Sequence, residues 1–328
     1  MNVIIRLLAD AIHFGAPLLF GTTGEIVTEK SGGMNLGVEG TMAVGAIGGY
    51  LMACYTDSLL LGIIFAFIFG GLCGLLFAFL TTTLKANQNV TGLAMTIFGV
   101  GIYQLIGEKL MTAKTFPGMP GHLAGMVSGK PFGGLSEIPY IGTLLFSHNI
   151  LVYLAVLTAV AVFIYMRKTK AGLRMRAVGE NPEAADSVGV NVSRVKYING
   201  ILGSGITGIG GLYMATVINS GVWSDAGSWI AGYGWISVAL VIFASWSPLR
   251  ALYGSLVFGF LIAVQSKIDL LVRTFPAVLT WMSYIPQEVY KLLPFLITAL
   301  ILILNSIKKK KEGIQPAGCG INYFREER

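Results

Sequence analysis

Long apolar runs separated by short polar or glycine-rich links occupy most of this chain. They fall at Val3–Phe20, Leu36–Ala53, Leu59–Leu80, Val90–Ile106, Ile150–Tyr165, Tyr197–Ile218, Ile230–Ser245, Ala251–Val264 and Leu292–Ile307. A helix rises about 1.5 Å per residue, so about 20 apolar residues cross a bilayer core about 30 Å thick. Ser58–Leu84 carries no charged side chain and meets that length alone. The pattern predicts an all-α, polytopic integral membrane helical bundle of about eight to ten transmembrane helices, with some of the shorter ones broken or re-entrant.

Composition sharpens the class. Of 328 residues, 54% are hydrophobic and 12% charged, against about a quarter charged in soluble domains. The 43 glycines suit membrane helices, whose backbones come close where side chains are small. Asp10 and His13 interrupt the first run, and no small-residue cleavage site follows a basic region, so it reads as a retained membrane segment. Cys54, Cys73 and Cys319 lack the spacing of a disulfide framework or a zinc site.

The net charge of +7 does not point to nucleic acid, because the cations gather in links between apolar runs. Arg167, Lys168, Lys170, Arg174, Arg176, Arg194 and Lys196 flank one link, and Lys308–Lys311 follow the last run. The positive-inside rule makes both cytoplasmic, with Arg250 on the same side. The side of the N-terminus stays open, because Gly21–Gly40 need not cross simply. Residues 1–307 form a transmembrane domain with a cytoplasmic loop at 167–196, and residues 308–328 a basic and polar cytoplasmic tail, read as a flexible end. The links Glu108–Asn149 and Lys267–Lys291 fall outside, the first with prolines that suggest an ordered loop or partial helices.

Two segments carry chemistry. In Gly179-Glu180-Asn181-Pro182-Glu183-Ala184-Ala185, Asn181 suits an N-cap, Pro182 the first helical position and Glu183 the positive helix end, with Gly189 to terminate the turn. A short helix in a loop longer than the connection needs is either a solvated link or a peg through which a soluble partner transmits movement. In Gly24–Gly40, ionisable groups lie among apolar runs, where they cost about 2.5–3.5 kcal/mol and usually face a bundle interior or a water-filled path. If a helix continues through Asn35 and Glu39, they share a face and line one wall of a pore. Gly32 and Gly33 allow a break just before it. Equally, Glu39 can tie two helices together by hydrogen bonds.

These segments resemble the N-terminal signature (Gly24-Glu25 through Asn35-Leu36-Gly37-Val38-Glu39-Gly40) and the coupling-helix region (Gly179 to Ala185) of permease subunits from bacterial nucleoside ABC importers, within a wider group of sugar and branched-chain amino acid permeases. The likeness in length, run pattern and motif order covers most of the chain. It implies a multi-pass protein of the bacterial inner (plasma) membrane, surrounded by membrane lipids and alternating between outward and inward access. Its expected partners are ABC ATPase subunits holding ATP and Mg, a second and related permease subunit, and an extracytoplasmic substrate-binding lipoprotein. The chain itself is then no enzyme and holds no cofactor. Gly179 to Ala185 become the ATPase coupling residues, and simple sugars such as ribose are the alternative cargo.

Other patterns weigh less. Gly203-Ser204-Gly205-Ile206-Thr207-Gly208 has dinucleotide-loop spacing but sits in an apolar run and reads as helix packing. Gly125–Pro131 falls short of a phosphate loop, and His13, His122 and His148 lack a paired-ligand spacing. Trp223, Trp229, Tyr233, Trp235 and Trp246 read as an interfacial belt. Alternatively, one or two of these rings, or Phe98, stack on a nucleobase while Asn35, Gln104 or Gln265 bonds to ribose, giving the substrate pathway Asn35, Glu39, Phe98, Gln104, Trp235 and Gln265. An ion-coupled carrier using Glu25, Glu39 or Asp269 is the rival transport class. An intramembrane enzyme finds no nucleophile and base pair.

Overall fold

A computed structural model describes residues 3–112, 118–221, 230–274, 285–286, 289–290, 292–307 and 315–324. Helices dominate: α1 Val3–Lys30, α2 Val38–Thr56, α3 Leu59–Ala78, α4 Gln88–Thr112, α5 Gly121–Ser128, α6 Ile150–Lys168, α7 Lys170–Glu180, α8 Pro182–Ser187, α9 Val192–Tyr213, α10 Tyr233–Phe243, α11 Pro248–Ser266, α12 Ile268–Thr274 and α13 Leu293–Ile307. Wider π-type turns extend α3 through Phe79–Thr83 and α9 through Met214–Ile218. No strand occurs among the described residues.

Six helices are long and apolar enough to cross a membrane: α1, α3 and α9 with their extensions, α4, α6 and α11. α2 matches them in length at 19 residues and is buried along most of it. α10 has only 11 residues, about 16 Å at the helical rise, so it spans about half a bilayer core. The predicted bundle is present, with one of its runs a half-length helix.

Side-chain caps set several boundaries, as short polar residues before apolar runs do generally. Asn149 Oδ1 accepts from Val152 N–H at 3.1 Å to start α6, and Asn191 Oδ1 from Arg194 N–H at 2.8 Å to start α9. The predicted cap at Asn181 is made: its Oδ1 accepts from Ala184 N–H at 2.9 Å, with Pro182 opening α8. The connection 167–196 holds a second helix that the sequence did not signal, α7, started by Thr169 Oγ1 accepting from Gly172 N–H at 3.0 Å.

Helix α9 is the centre of the bundle and packs on α1, α2 and α3 together. A Cβ on Gly203 would stand 2.5 Å from Gly24 O, one on Gly208 2.3 Å from Ala66 O, and one on Gly45 2.3 Å from Gly208 Cα. The small-residue rows therefore serve close helix contact, as expected for Gly203 to Gly208.

Long-range contacts fix the two ends. The last turn of α1, the start of α4, α7, α8 and residues 315–324 meet at one end, which carries Lys30, Lys85, Arg176 and Lys196. At the other end Asp57 accepts from Leu123 N–H, and Lys267 after α11 pairs with Asp10 of α1. α1 thus starts at the end opposite the basic one. The link after α4 contains partial helices, as its prolines suggested. The tail departs from expectation: residues 315–324 are packed against the bundle instead of forming a loose end. Lys308–Lys311, Trp223, Trp229 and the side chain of Asp269 lie outside the described residues.

Candidate translocation and coupling site

The site begins at the lower end of α1, where Glu25 and Glu29 lie one turn apart and are both buried. α1 stops in a reciprocal pair of backbone bonds, Gly33 N–H to Thr28 O at 3.1 Å and Gly32 N–H to Glu29 O at 2.9 Å. This ending places its C′ residue in the left-handed region, and Gly32 takes φ +88 there without a Cβ penalty.

Residues 31–37 then run without helix between α1 and α4. Met34 N–H donates to Gln88 Oε1 at 2.7 Å, Asn35 N–H to Glu25 Oε1 at 3.1 Å, and Thr96 Oγ1–H to Leu36 O at 3.1 Å. Asn35 Oδ1 accepts from Gly37 N–H at 2.9 Å. The break anticipated at Gly32 and Gly33 is real, but no helix continues through Asn35. α2 starts at Val38, so Asn35 and Glu39 share no helix face, because the Asn35 side chain is committed to a local turn that competes with helix.

Glu39 opens α2 and faces the start of α10. Its Oε2 accepts from Gly232 N–H at 2.9 Å, and the backbone amides of Gly234 and Trp235 also donate to the carboxylate. Four amides at a helix start have no partner within the helix, so a carboxylate there satisfies them and faces the positive end of the helix dipole. Glu39 therefore ties α2 to α10, the second of its two readings. The contact requires Gly234, where a Cβ would stand 2.3 Å from Glu39 Cα.

Two aromatic residues flank this turn. Gly99 packs so tightly on α2 that a Cβ would be 2.3 Å from Gly40 O, and the neighbouring Phe98 is 52% exposed. On the other side Trp235 follows Gly234 and is 36% exposed. Gln104 continues the exposed side of α4, together with Ile97, Phe98, Gly101 and Leu105. Gln265 is not part of this group: it lies on α11, which packs on α1, α6 and α10, close to Lys267 at the far end. Glu39, Phe98 and Trp235 thus share one region of α2, α4 and α10, whereas Asn35 is buried in the link before α2 with its side chain turned to Gly37, and Gln104 lies further along α4.

The interfacial-belt reading does not hold for Trp246. It is 7% exposed, and its indole N–H donates to the Glu29 carboxylate. This bond was not legible from the sequence, since the partners stand far apart and Trp is common at membrane surfaces.

At the basic end Gly179 is buried against α1: a Cβ would stand 2.3 Å from Lys30 O. Ala185 is buried with Val178 and Val192, whereas Glu180, Asn181, Glu183 and Ala184 are exposed and Val188 is 78% exposed. The α7–α8 corner thus has one face fixed to α1 and α9 and another open to a partner. Residues 315–324 cross this end, and burial pushes the Cys319 thiol up to about 12. Among the described residues no group of three or more His, Cys, Asp or Glu could hold a metal ion.

The family described as branched-chain amino acid transport system / permease component matches residues 7–302. The chain belongs to this permease family. It is 29% identical over 338 residues to a nucleoside ABC transporter permease of Lactococcus lactis, covering 100% of this chain and 99% of that one. It is 31% identical over 348 residues to a guanosine ABC transporter permease of Bacillus subtilis, again covering 100% and 99%. A putative glucose ABC transporter permease of Haloferax volcanii is 34% identical over 273 residues, 81% of this chain and 79% of its own length. No solved structure matches. This permease is accordingly a multi-pass membrane component of a transport system.

Proposed function

We propose that this permease is a translocating subunit of an ATP-driven nucleoside importer in the bacterial inner membrane. The observation that carries the cargo is the end-to-end similarity to two relatives named for nucleoside and guanosine transport. ATP and Mg belong to ATPase subunits that dock on the exposed face of the α7–α8 corner, through Glu180, Asn181, Glu183 and Ala184, while Gly179, Pro182 and Ala185 hold that face in place. A second, related permease subunit completes the pore, and an extracytoplasmic binding lipoprotein delivers cargo. The clustered cations of the basic end support its cytoplasmic placement, together with the C-terminal segment.

Phe98 and Trp235 offer apolar surface for a base, Glu39 and, further along α4, Gln104 supply polarity, and Asn35 shapes the link behind them. Because the binding protein selects outside, a path of weak contacts suffices. Gln265 belongs to the outer mouth in this reading. A sugar cargo is the second reading, favoured by the putative glucose permease at 34% identity.

The test is uptake of radiolabelled guanosine, other nucleosides, ribose and glucose into proteoliposomes that hold the permease with its co-purifying partners. ATP-dependent nucleoside uptake is expected. Sugar uptake alone would replace the cargo, and uptake without ATP would overturn the ATP-driven reading.

A further inference from the structure

Residues 315–324 bind α7, α8, α9, the start of α4 and the turn that precedes it. Gly318 N–H donates to Gly179 O at 2.8 Å, and Ala317 N–H to Glu180 Oε2 at 3.4 Å. Asn322 Nδ2–H donates to Lys85 O at 2.7 Å and to Ala86 O at 3.1 Å, in the turn between α3 and α4. Lys85 Nζ–H donates back to Tyr323 O. Tyr323 Oη–H donates to Asp186 Oδ2 of α8 at 2.8 Å, and Lys196 Nζ–H of α9 to Ile321 O at 3.4 Å.

Gln88 joins this strap to the link between α1 and α2. Its Nε2–H donates to Ile321 O at 3.3 Å and to Asn322 Oδ1 at 3.2 Å, while its Oε1 accepts from Met34 N–H at 2.7 Å. Met34 precedes Asn35, whose N–H is held by Glu25. An unbroken polar route therefore leads from Asp186 through Tyr323, Asn322 and Gln88 to Met34.

We infer that the strap is a second transmission arm, whose residues Asn322 and Tyr323 position the α1–α2 link in step with α8. The inference rests on the reading of α8 as the ATPase-facing element. The Tyr323 ring packs on the Val178, Ala185 and Val192 cluster, but Ile321 is 60% and Phe324 43% exposed, so most of the strap's grip is hydrogen bonding that joins α8 to the turn between α3 and α4 and, through Gln88, to the α1–α2 link. Each such bond is modest in net energy and can be exchanged. A cavity of about 340 Å³ walled by Lys85, Asp186, Asn191, Ser193 and Tyr323 gives the Tyr323 contact room to shift. Coupling between sites is carried by elements with two discrete arrangements, and the strap has partners on both sides of the required movement.

The experiment compares the reconstituted complex with the variant Tyr323→Phe/Asn322→Ala, measuring guanosine uptake and ATP hydrolysis together. Uptake per ATP should fall about fivefold or more with ATPase subunits still attached, and an unchanged ratio overturns the inference. Should the variant not assemble, the unaltered complex decides. Amide hydrogen exchange of the peptide covering residues 315–324 should differ at least about threefold between nucleotide-free and vanadate-trapped states, and equal exchange overturns the inference. Ala184→Arg separates the underlying reading: ATPase subunits that remain attached to it refute docking on α8, whereas their loss beside an unchanged strap-variant ratio refutes the strap alone.

Discussion

The indole of Trp246 donates to the Glu29 carboxylate, and this bond joins the turn after α10 to the last turn of α1. Ser245 and Trp246 both adopt positive φ there, at +49 and +53, which side chains bear only where the surroundings insist. Trp246→Phe keeps a ring but leaves the buried carboxylate without its donor. It should cost about 1–3 kcal/mol, read as a lower melting temperature in detergent, and Glu29→Gln, which retains an acceptor, should cost less.

Glu39 closes the start of α10 in the same way. Glu39→Ala strands the Gly232 amide and its neighbours, so uptake should fall about tenfold or more while ATPase subunits remain bound. Gly234→Ala should separate α2 from α10 at about 1–3 kcal/mol, and a thermal shift assay on the purified permease checks it.

Phe98 is 52% and Trp235 36% exposed, and neither belongs to the buried core. Phe98→Ala should therefore change the melting temperature little and Trp235→Ala lower it modestly, and both should reduce nucleoside uptake about threefold to tenfold through lost stacking. Equal loss for nucleosides and free sugars would refute a base-stacking role.

Gly179→Ala drives a methyl group into the backbone of Lys30, where neither partner can yield by rotating a side chain. The substitution should cost about 1–3 kcal/mol and lower the uptake obtained per ATP, measured on the same vesicles.

His148, outside the spans, is buried, and desolvation lowers it below its ordinary 6.5 against the opposing effects of the Leu144 carbonyl and Asp10. A lowered folded value means that the unfolded chain takes up a proton first as the medium acidifies. The stability that depends on neutral His148 is thus complete above 6.5 and is lost as pH falls through its folded value. Melting temperatures of His148→Gln and the unaltered permease should converge as pH falls through this window.

Much of this architecture is legible in the sequence because it rests on side-chain type. Apolar length forecasts the crossings, Asn181 and Pro182 forecast α8, and the small residues from Gly200 to Gly211 forecast close packing. The strap was missed because its grip works largely through main-chain groups such as Gly318 N–H and the carbonyls of Ile321 and Tyr323, which have no signature in composition. Whether a helix continues through Asn35 stayed open because propensity says nothing of the Glu25 carboxylate that captures the Asn35 amide. α10 was half hidden for a related reason. The run Ile230–Ser245 looks continuous, but Glu39, far away in sequence, sets where its helix begins.

Helix α9 touches α1, α2 and α3 through glycine contacts that leave no room for a sliding side chain. Four helices locked in this way behave as one solid block, because close-packed interfaces repack in jumps and do not shear smoothly. Glycine contacts as tight as these also bind α4 at Gly99 and α10 at Gly234 to α2, so rearrangement is left to what is held by exchangeable hydrogen bonds, above all the strap. In engineering terms α9 is the frame of the machine, and enlarging any of its buried glycines would bend the frame before it touched the moving parts.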